Sequence, residues 1–171
     1  PEYEQQILNL AKQIEQNTTA EIAVVTVSSL DGLPIETYAV ELFEQAGIGK
    51  KDLNNGLLIL IAPNERKFRI EVGYGLEGTI PDVTAMEIGT DIFVQNFRNN
   101  EYGKGIYDAL TVIGGYLENN EEVLSKYRAT YAKGASPMSD FANTLYLIFF
   151  IFFLISLAGV FAGRRRRMGF F

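Results

Sequence analysis

The chain has 171 residues, of which 47% are hydrophobic and 21% charged, and it contains no cysteine and no histidine. These absences exclude disulfides, zinc or copper sites of the usual nitrogen and sulfur type, and Ser-His or Cys-His catalysis within this chain. Residues 1–163 carry 11 − 21 = −10 charges, because four of the 15 basic residues are the arginines at 164–167. A domain so acidic repels phosphate backbones, so nucleic acid is not expected as a partner.

Helix and strand patterns alternate along the first part of the chain. Apolar residues at helical spacing predict an amphipathic helix over residues 2–16, and the β-branched, mostly apolar run 21–27 predicts a buried strand. A second helix is expected between Pro34, which suits a first helical turn, and Gly47, which suits a stop. The continuous apolar run 56–62 predicts a central strand. The order strand, helix, strand indicates a parallel βαβ unit.

A hairpin follows this unit. Residues 67–72 alternate charged with apolar side chains, which is typical of a strand with one solvated face, and the turn at Pro63 makes it antiparallel to the preceding strand. Further helices are expected after Asp82, which can cap the first of them, and over about 104–118. These elements predict an α/β fold, a three-layer α/β/α sandwich around a small mixed sheet.

A segment without charged residues runs from position 141 to 163. Its 23 residues, at about 1.5 Å each, would span roughly 35 Å, which exceeds the hydrocarbon core of about 30 Å. We therefore predict one C-terminal transmembrane helix. The predicted organisation is an α/β domain over 1–120, a stalk or linker over 121–140, the membrane helix, and a basic tail over 164–171.

The arginine run indicates the orientation of this anchor. A tight basic cluster beside a membrane helix favours a cytoplasmic C terminus, and hence an extracytoplasmic domain held at the cell membrane by a single pass. A tail-anchored protein with a cytoplasmic domain is the alternative.

The segment 73–78 matches the glycine pattern G-x-G-x-x-G and follows a strand. A dinucleotide site requires a helix that opens at the third glycine, inside a βαβ unit. Here the strand is the second arm of a hairpin, and residues 79–81 intervene before any helix. No nucleotide is therefore expected, and the glycines are interpreted as allowing a tight loop.

Oxygen-bearing side chains cluster in the two loops at the open end of the hairpin. The start of the first arm and the end of the second lie side by side in an antiparallel pair, so we expect these loops to meet. Carboxylate and amide oxygens on such loops are ligands for Ca²⁺ or Mg²⁺. The candidate metal ligands are Asp52, Asn54, Asn55, Glu77 and Asp82. The alternative is that these residues serve only as turn and cap residues.

Three stretches resemble the TPM-domain family: AEIAVVTVSSLDGLPIETYAVELFEQAGIG (20–49), NNGLLILIAPNERKFRIEVGYGLEGTIPD (54–82) and NFRNNEYGKGIYDAL (96–110). That family includes thylakoid-lumen proteins and membrane-anchored bacterial and archaeal proteins, whose members commonly combine a signal peptide, this domain and a transmembrane helix. The resemblance implies an α/β/α sandwich outside the cytoplasm. It also implies divalent-cation binding, acid phosphatase activity, or an accessory role beside larger membrane complexes.

The sequence therefore leads to two alternative hypotheses for the function, a binding module and an enzyme. The first is a membrane-anchored binding or accessory domain that binds Ca²⁺ weakly and docks on another envelope or membrane protein. Members of the family often have an aspartate at the position of Asn54. The asparagine of this chain removes one negative charge from the proposed cation site. The alternative is a metal-assisted acid phosphatase, in which Asp82 and Asn55 would position the cation. No Cys-x₅-Arg or Asp-x-Asp phosphatase signature is present, so catalysis is the second expectation.

Overall fold

Three strands form one mixed sheet at the centre of the domain in the computed structural model, which describes residues 2–131. Strand β1 (Glu21–Thr26) pairs in parallel with β2 (Gly56–Ala62), and β2 pairs antiparallel with β3 (Lys67–Val72). The strand order is β1-β2-β3, so β2 lies in the middle. The small mixed sheet predicted from the sequence is confirmed.

Six α-helices occur in the described residues: α1 (Glu2–Thr18), α2 (Ile35–Ala46), α3 (Asp82–Ile88), α4 (Val94–Phe97), α5 (Tyr102–Leu117) and α6 (Glu121–Thr130). A π-helical turn, Gly89–Phe93, joins α3 to α4, so these residues continue as helix without an intervening loop. The predicted boundaries agree with α1, α2 and α5 to within about two residues.

Helices cover both faces of the sheet, so β2 has no solvated side. All seven residues of β2 are buried, which accounts for its unbroken apolar sequence. On one face, Leu58 and Leu60 pack with α2 through Ile35 and Ala39. The other face holds the larger cluster, to which α3, α5 and α6 contribute and which includes Leu57, Ile59, Ile61, Ile88, Phe93, Ala109, Ile113 and Leu124. Burying each large aliphatic side chain contributes about 1.5–3 kcal/mol.

Helix α6 packs into the domain, although the sequence placed residues 121–140 in a stalk or linker. Leu124 and Tyr127 are buried in the larger cluster. The Tyr127 hydroxyl donates a hydrogen bond to Oδ2 of Asp91 at 2.9 Å. Burial first, and then this bond, raise the pKa of Tyr127 above its ordinary value, because a phenolate there would be desolvated beside a carboxylate.

A charged network holds the end of α6 to α5. The Lys104 ammonium donates to Oδ2 of Asp108 at 2.5 Å, and the Tyr131 hydroxyl donates to the same oxygen at 2.5 Å. Lys104 also donates to Oδ1 of Asn96 at 3.1 Å. The bond to Asp108, opposed in part by burial, raises the pKa of Lys104 to about 12. Lys104 therefore stays charged near neutral pH, and the network keeps all its donors.

Within residues 2–131, no helix has both the length and the apolar character needed to cross a membrane. The predicted membrane helix at 141–163, the basic tail at 164–171 and the remainder of the predicted stalk lie outside the described residues.

Replacement of Leu124 tests whether α6 belongs to the folded domain. We expect Leu124→Ala to lower the free energy of unfolding by about 2–4 kcal/mol, because it empties a buried site. Lys126→Ala, an exposed position on the same helix, should change it by less than about 0.5 kcal/mol. Urea denaturation of both variants measures the difference. Equal, small effects would show that α6 is not packed on α5.

Candidate functional site

Two loops leave the same end of the sheet, and we name them L1 (residues 49–55) and L2 (residues 73–81). The register sets Leu57 opposite Val72, so the chain before β2 and the chain after β3 are neighbours. Two backbone hydrogen bonds hold L2 here: Gly73 N–H donates to the carbonyl oxygen of Gly56, the first residue of β2, at 2.8 Å, and Gly75 N–H donates to that of Asn54 on L1 at 3.0 Å. The structure therefore brings these two loops together through their backbones.

Glycines allow this close approach. A Cβ at Gly73 would collide with the carbonyl oxygen of Asn54, and a Cβ at Gly75 would collide with that of Leu53. By contrast, a Cβ at Gly78 would meet no atom within 4 Å. Two glycines of the G-x-G-x-x-G pattern thus have a packing role between the loops, and the third does not.

Asn55 holds L1 to the start of β1. It is 6% exposed, and its Nδ2 donates to the carbonyl oxygen of Thr19 at 2.5 Å and to the Thr19 hydroxyl at 3.2 Å. Its Oδ1 accepts a hydrogen bond from the Lys50 N–H at 2.9 Å. Both ends of the amide are therefore engaged within the protein, as is usual for a buried polar side chain. The structure gives Asn55 a clear structural role.

The other candidate ligands are exposed. Asp52 and Asn54 lie on L1, Glu77 lies on L2, and Asp82 begins α3. The Asn54 backbone has φ +47°, a left-handed turn conformation that asparagine tolerates well. Within residues 2–131, no group of three or more acidic side chains is gathered closely enough to hold a metal ion. These residues thus share one end of the domain without forming a carboxylate cluster.

Asp82 differs from its expected role as a helix cap. Pro81 occupies the N-cap position, and no side-chain hydrogen bond caps the helix. Asp82 is the first helical residue, where a negative charge still interacts favourably with the helix dipole. Its carboxylate is 75% exposed and lies 3.8 Å from the Arg69 guanidinium, a distance at which an ion pair contributes little.

Glu21 is an acidic residue of this end that sequence reasoning missed. Its Oε2 accepts a hydrogen bond from the Gly49 N–H at 3.1 Å, and the residue is only partly buried. The parallel register sets Glu21 opposite Gly56, which places the start of β1 beside L1. That register was the available signal, because the predicted βαβ unit already implied it.

Large apolar side chains are also exposed here. Leu53 on L1 is 52% exposed and Tyr74 on L2 is 79% exposed. Val83 and Met86, three positions apart on α3, are exposed as well. Positions i and i+3 share one face of a helix, so these two side chains form a small apolar strip at the solvent side of α3. The same end of the domain therefore presents both carboxylates and apolar groups to solvent.

Comparison with known proteins identifies relatives for this architecture. The family model of the TPM domain matches residues 1–116. The chain is similar to the solution structure of the N-terminal domain of a P. gingivalis protein, with 32% identity and a TM-score of 0.65 over 70% of this chain and 76% of that chain. No curated protein matches the chain.

Two more distant structures share the fold. The BA42 protein from Bizionia argentinensis is 23% identical, with a TM-score of 0.60 over 69% of this chain and 80% of that chain. The N-terminal domain of a Corynebacterium glutamicum protein is 21% identical, with a TM-score of 0.50 over 68% and 70% of the two chains. At these identities the likeness concerns the fold alone.

Substitution of the loop glycines tests the contact between L1 and L2. We expect Gly75→Ala to lower the free energy of unfolding by about 1–3 kcal/mol, because the new methyl group would displace the Leu53 carbonyl. Gly78→Ala lies on the same loop with open space around it, and it should change stability by less than about 1 kcal/mol. Thermal or urea unfolding distinguishes the two. Tolerance of alanine at position 75 would contradict the described loop contact.

Proposed function

The chain belongs to the TPM domain family, and from that premise we propose that its domain is a binding module that docks on another envelope or membrane protein through L1 and L2. In this proposal the domain is a three-layer α/β/α sandwich on the extracytoplasmic side of a cell membrane, and a transmembrane helix at 141–163 anchors it. Weak Ca²⁺ binding at the loops accompanies docking.

The exposure of Leu53 and Tyr74 on two loops in backbone contact is the observation that carries the docking proposal. Single exposed apolar residues are ordinary, but Val83 and Met86 are also exposed on α3, the helix that follows L2. Aromatic and methionine side chains are enriched at protein interfaces, and tyrosine is frequent among the residues that dominate binding energy. Because the glycine contacts fix the two loops to each other, little conformational entropy would be lost on docking.

The carboxylates of the same end support a weak cation site. Asp52, Glu77 and Asp82 are exposed. A Ca²⁺ ion bound there would keep several water ligands, and the surrounding solvent would weaken its attraction to the carboxylates. Asn54 contributes a neutral oxygen where a carboxylate would bind more strongly. The engaged amide of Asn55 adds its oxygen only if the bond from Lys50 is shared or broken. These features favour affinity in the range of low-affinity extracellular Ca²⁺ sites.

A metal-assisted phosphatase is the second candidate, and the geometry of the loops supports it less. Phosphoryl transfer needs a cation held firmly next to the reacting groups. Asn55, one of the two residues expected to position that cation, is buried and hydrogen-bonded to Thr19 and Lys50. Asp82, the other, is exposed beside Arg69. Binding therefore agrees better than catalysis with the arrangement of these side chains.

Calorimetric titration of the full chain with Ca²⁺, in a nonionic detergent, tests the cation site. We expect a dissociation constant of about 0.1–1 mM for the wild type. The triple variant Asp52→Asn, Glu77→Gln, Asp82→Asn should lose the heat of binding, because it removes the three exposed charges of the loops. The matched control Glu36→Gln, Glu41→Gln, Glu44→Gln neutralises three exposed charges on α2 and should bind as the wild type does. Absence of heat at millimolar Ca²⁺ would remove the cation from the proposal.

Site-specific photocrosslinking in native membranes tests docking separately. A benzoylphenylalanine at position 74 replaces an exposed tyrosine with a residue of similar shape, and we expect it to capture one defined membrane or envelope protein. The control carries the same group at Val40, an exposed position on α2. Capture should weaken in the Leu53→Ser variant, since that residue belongs to the same surface. Equal capture from positions 74 and 40 would contradict a docking surface at L1 and L2.

A further inference from the structure

A cavity of about 440 Å³ lies at the opposite end of the sheet from L1 and L2. It is lined by the carboxyl end of β2, Ile61–Ala62, and by Phe68, Val94 and Phe97. Ligands of open α/β sheets commonly bind outside the carboxyl ends of parallel strands, and a volume of a few hundred Å³ is typical of small-molecule sites. The position and size of the cavity both suit a small ligand.

Three cationic side chains line this cavity: Arg66, Lys67 and Arg98. Residues 2–131 carry 10 − 20 = −10 charges, so three of only ten basic residues meet at one place in an acidic domain. None of the residues that line the cavity is an Asp or Glu. The ion pairs of the described region instead involve Arg69, Lys104 and Arg128, which leaves these three cations available to a ligand.

The neighbouring carboxylate is occupied elsewhere. Glu65 precedes Arg66 in the turn between β2 and β3, and its Oε1 accepts a hydrogen bond from the Leu30 N–H at 2.9 Å. This bond holds the acidic side chain against the loop that follows β1. Glu65 therefore does not neutralise the positive charges that line the cavity.

Arg66 itself occupies a position at which a smaller residue would be less strained. Its backbone has φ +54°, in the left-handed region that glycine or asparagine adopts at lower cost, and its N–H donates to the Pro63 carbonyl at 3.2 Å. The backbone conformation of the turn therefore does not explain why a long cationic side chain is present at this position. Arg66 and its neighbour Lys67 both line the cavity.

The apolar lining of the cavity is held by stacked rings. Phe68 meets Phe93 edge-on at 5.1 Å between ring centroids, Phe93 stacks on Phe97 at 5.0 Å, and Phe97 meets Tyr102 at 4.7 Å. Three of these rings, Phe68, Phe97 and Tyr102, line the cavity. Rings that are fixed by one another form a surface on which an apolar group can pack without reordering the protein.

We propose that this cavity binds a phosphate monoester that carries an aromatic or other apolar group. Three cations match a phosphate dianion with three terminal oxygens better than a carboxylate, which has one charge and two oxygens. Arginine in particular donates paired hydrogen bonds to phosphate oxygens. The apolar part of the ester packs on the aromatic lining. The proposal concerns binding, with no bond made or broken, and it does not depend on the function of L1 and L2.

Ligand-observed ¹⁹F NMR with 4-fluorophenyl phosphate tests this site on the full chain in a nonionic detergent. We expect saturable binding of 4-fluorophenyl phosphate, weaker binding of inorganic phosphate, and weaker binding still of uncharged 4-fluorophenol. Arg98→Gln should raise the dissociation constant by about tenfold, because a charge-assisted hydrogen bond is lost. Arg66→Gly should weaken binding similarly while it relieves the left-handed backbone, and a urea unfolding curve like that of the wild type would show that the loss of affinity does not come from unfolding.

The control variant is Arg128→Gln, which removes a cation that is paired with Glu121 on α6 and does not line the cavity. It should bind 4-fluorophenyl phosphate as the wild type does. Unchanged affinity in Arg66→Gly and Arg98→Gln, equal loss in Arg128→Gln, or preference for 4-fluorophenol would each overturn the proposal.

A competition experiment distinguishes the two sources of such a ligand. Phosphatidic acid added to the detergent micelles should displace 4-fluorophenyl phosphate if the natural ligand is a lipid head group. A soluble aryl phosphate such as phenyl phosphate should displace it in either case. Failure of phenyl phosphate to compete would show that the fluorinated probe does not bind at a specific aryl phosphate site, against the proposal.

Discussion

The contact between the backbones of L1 and L2 is the constraint on which one end of the domain depends. The carbonyl oxygens of Leu53 and Asn54 lie against Gly73 and Gly75 so closely that a single methyl group on either glycine would collide with them. The buried amide of Asn55 extends this contact to the start of β1 by its bonds to Thr19 and Lys50. Three strand ends are therefore held in one arrangement by backbone atoms and one side chain. The side chains of the loops are left free to face solvent, which is where a binding function would use them.

The buried strand β2 connects this end of the domain to both apolar clusters. Because its side chains pack on α2 on one face and on the α3, α5 and α6 side on the other, a shift of one residue would exchange the two apolar faces. The register is fixed accordingly, and with it the positions of the loops at both ends. Helix α6 completes the second face through Leu124 and Tyr127, so the domain extends beyond residue 120.

Patterns of apolar residues made most of this architecture predictable. The runs 56–62 and 67–72 matched β2 and β3 to the residue, since a fully buried strand and a strand with one wet face have distinct sequences. The packing of α6 was missed because Leu124 and Tyr127 are separated by polar residues and look like part of an exposed helix. At the site, hairpin geometry placed L1 and L2 together, but it could not show that the amide of Asn55 faces inward. Arg66, Lys67 and Arg98 were not recognised as a group because position 98 lies about thirty residues from the other two in sequence, and only the tertiary fold brings it to the same cavity.

The domain has a net negative charge, which disfavours anionic ligands, but its charges are distributed unevenly over the fold. Asp52 and Glu77 lie on the loops at the end of the sheet where β2 starts, whereas Arg66, Lys67 and Arg98 lie where it ends. The seven residues of β2 separate these ends by six steps of about 3.3 Å, or roughly 20 Å. That distance exceeds twice the Debye length of about 8 Å at physiological salt, so charges at one end are largely screened from the other. An anion that approaches the cavity therefore meets the three local cations with little influence from the carboxylates of L1 and L2, which is the condition that the proposed phosphate site requires.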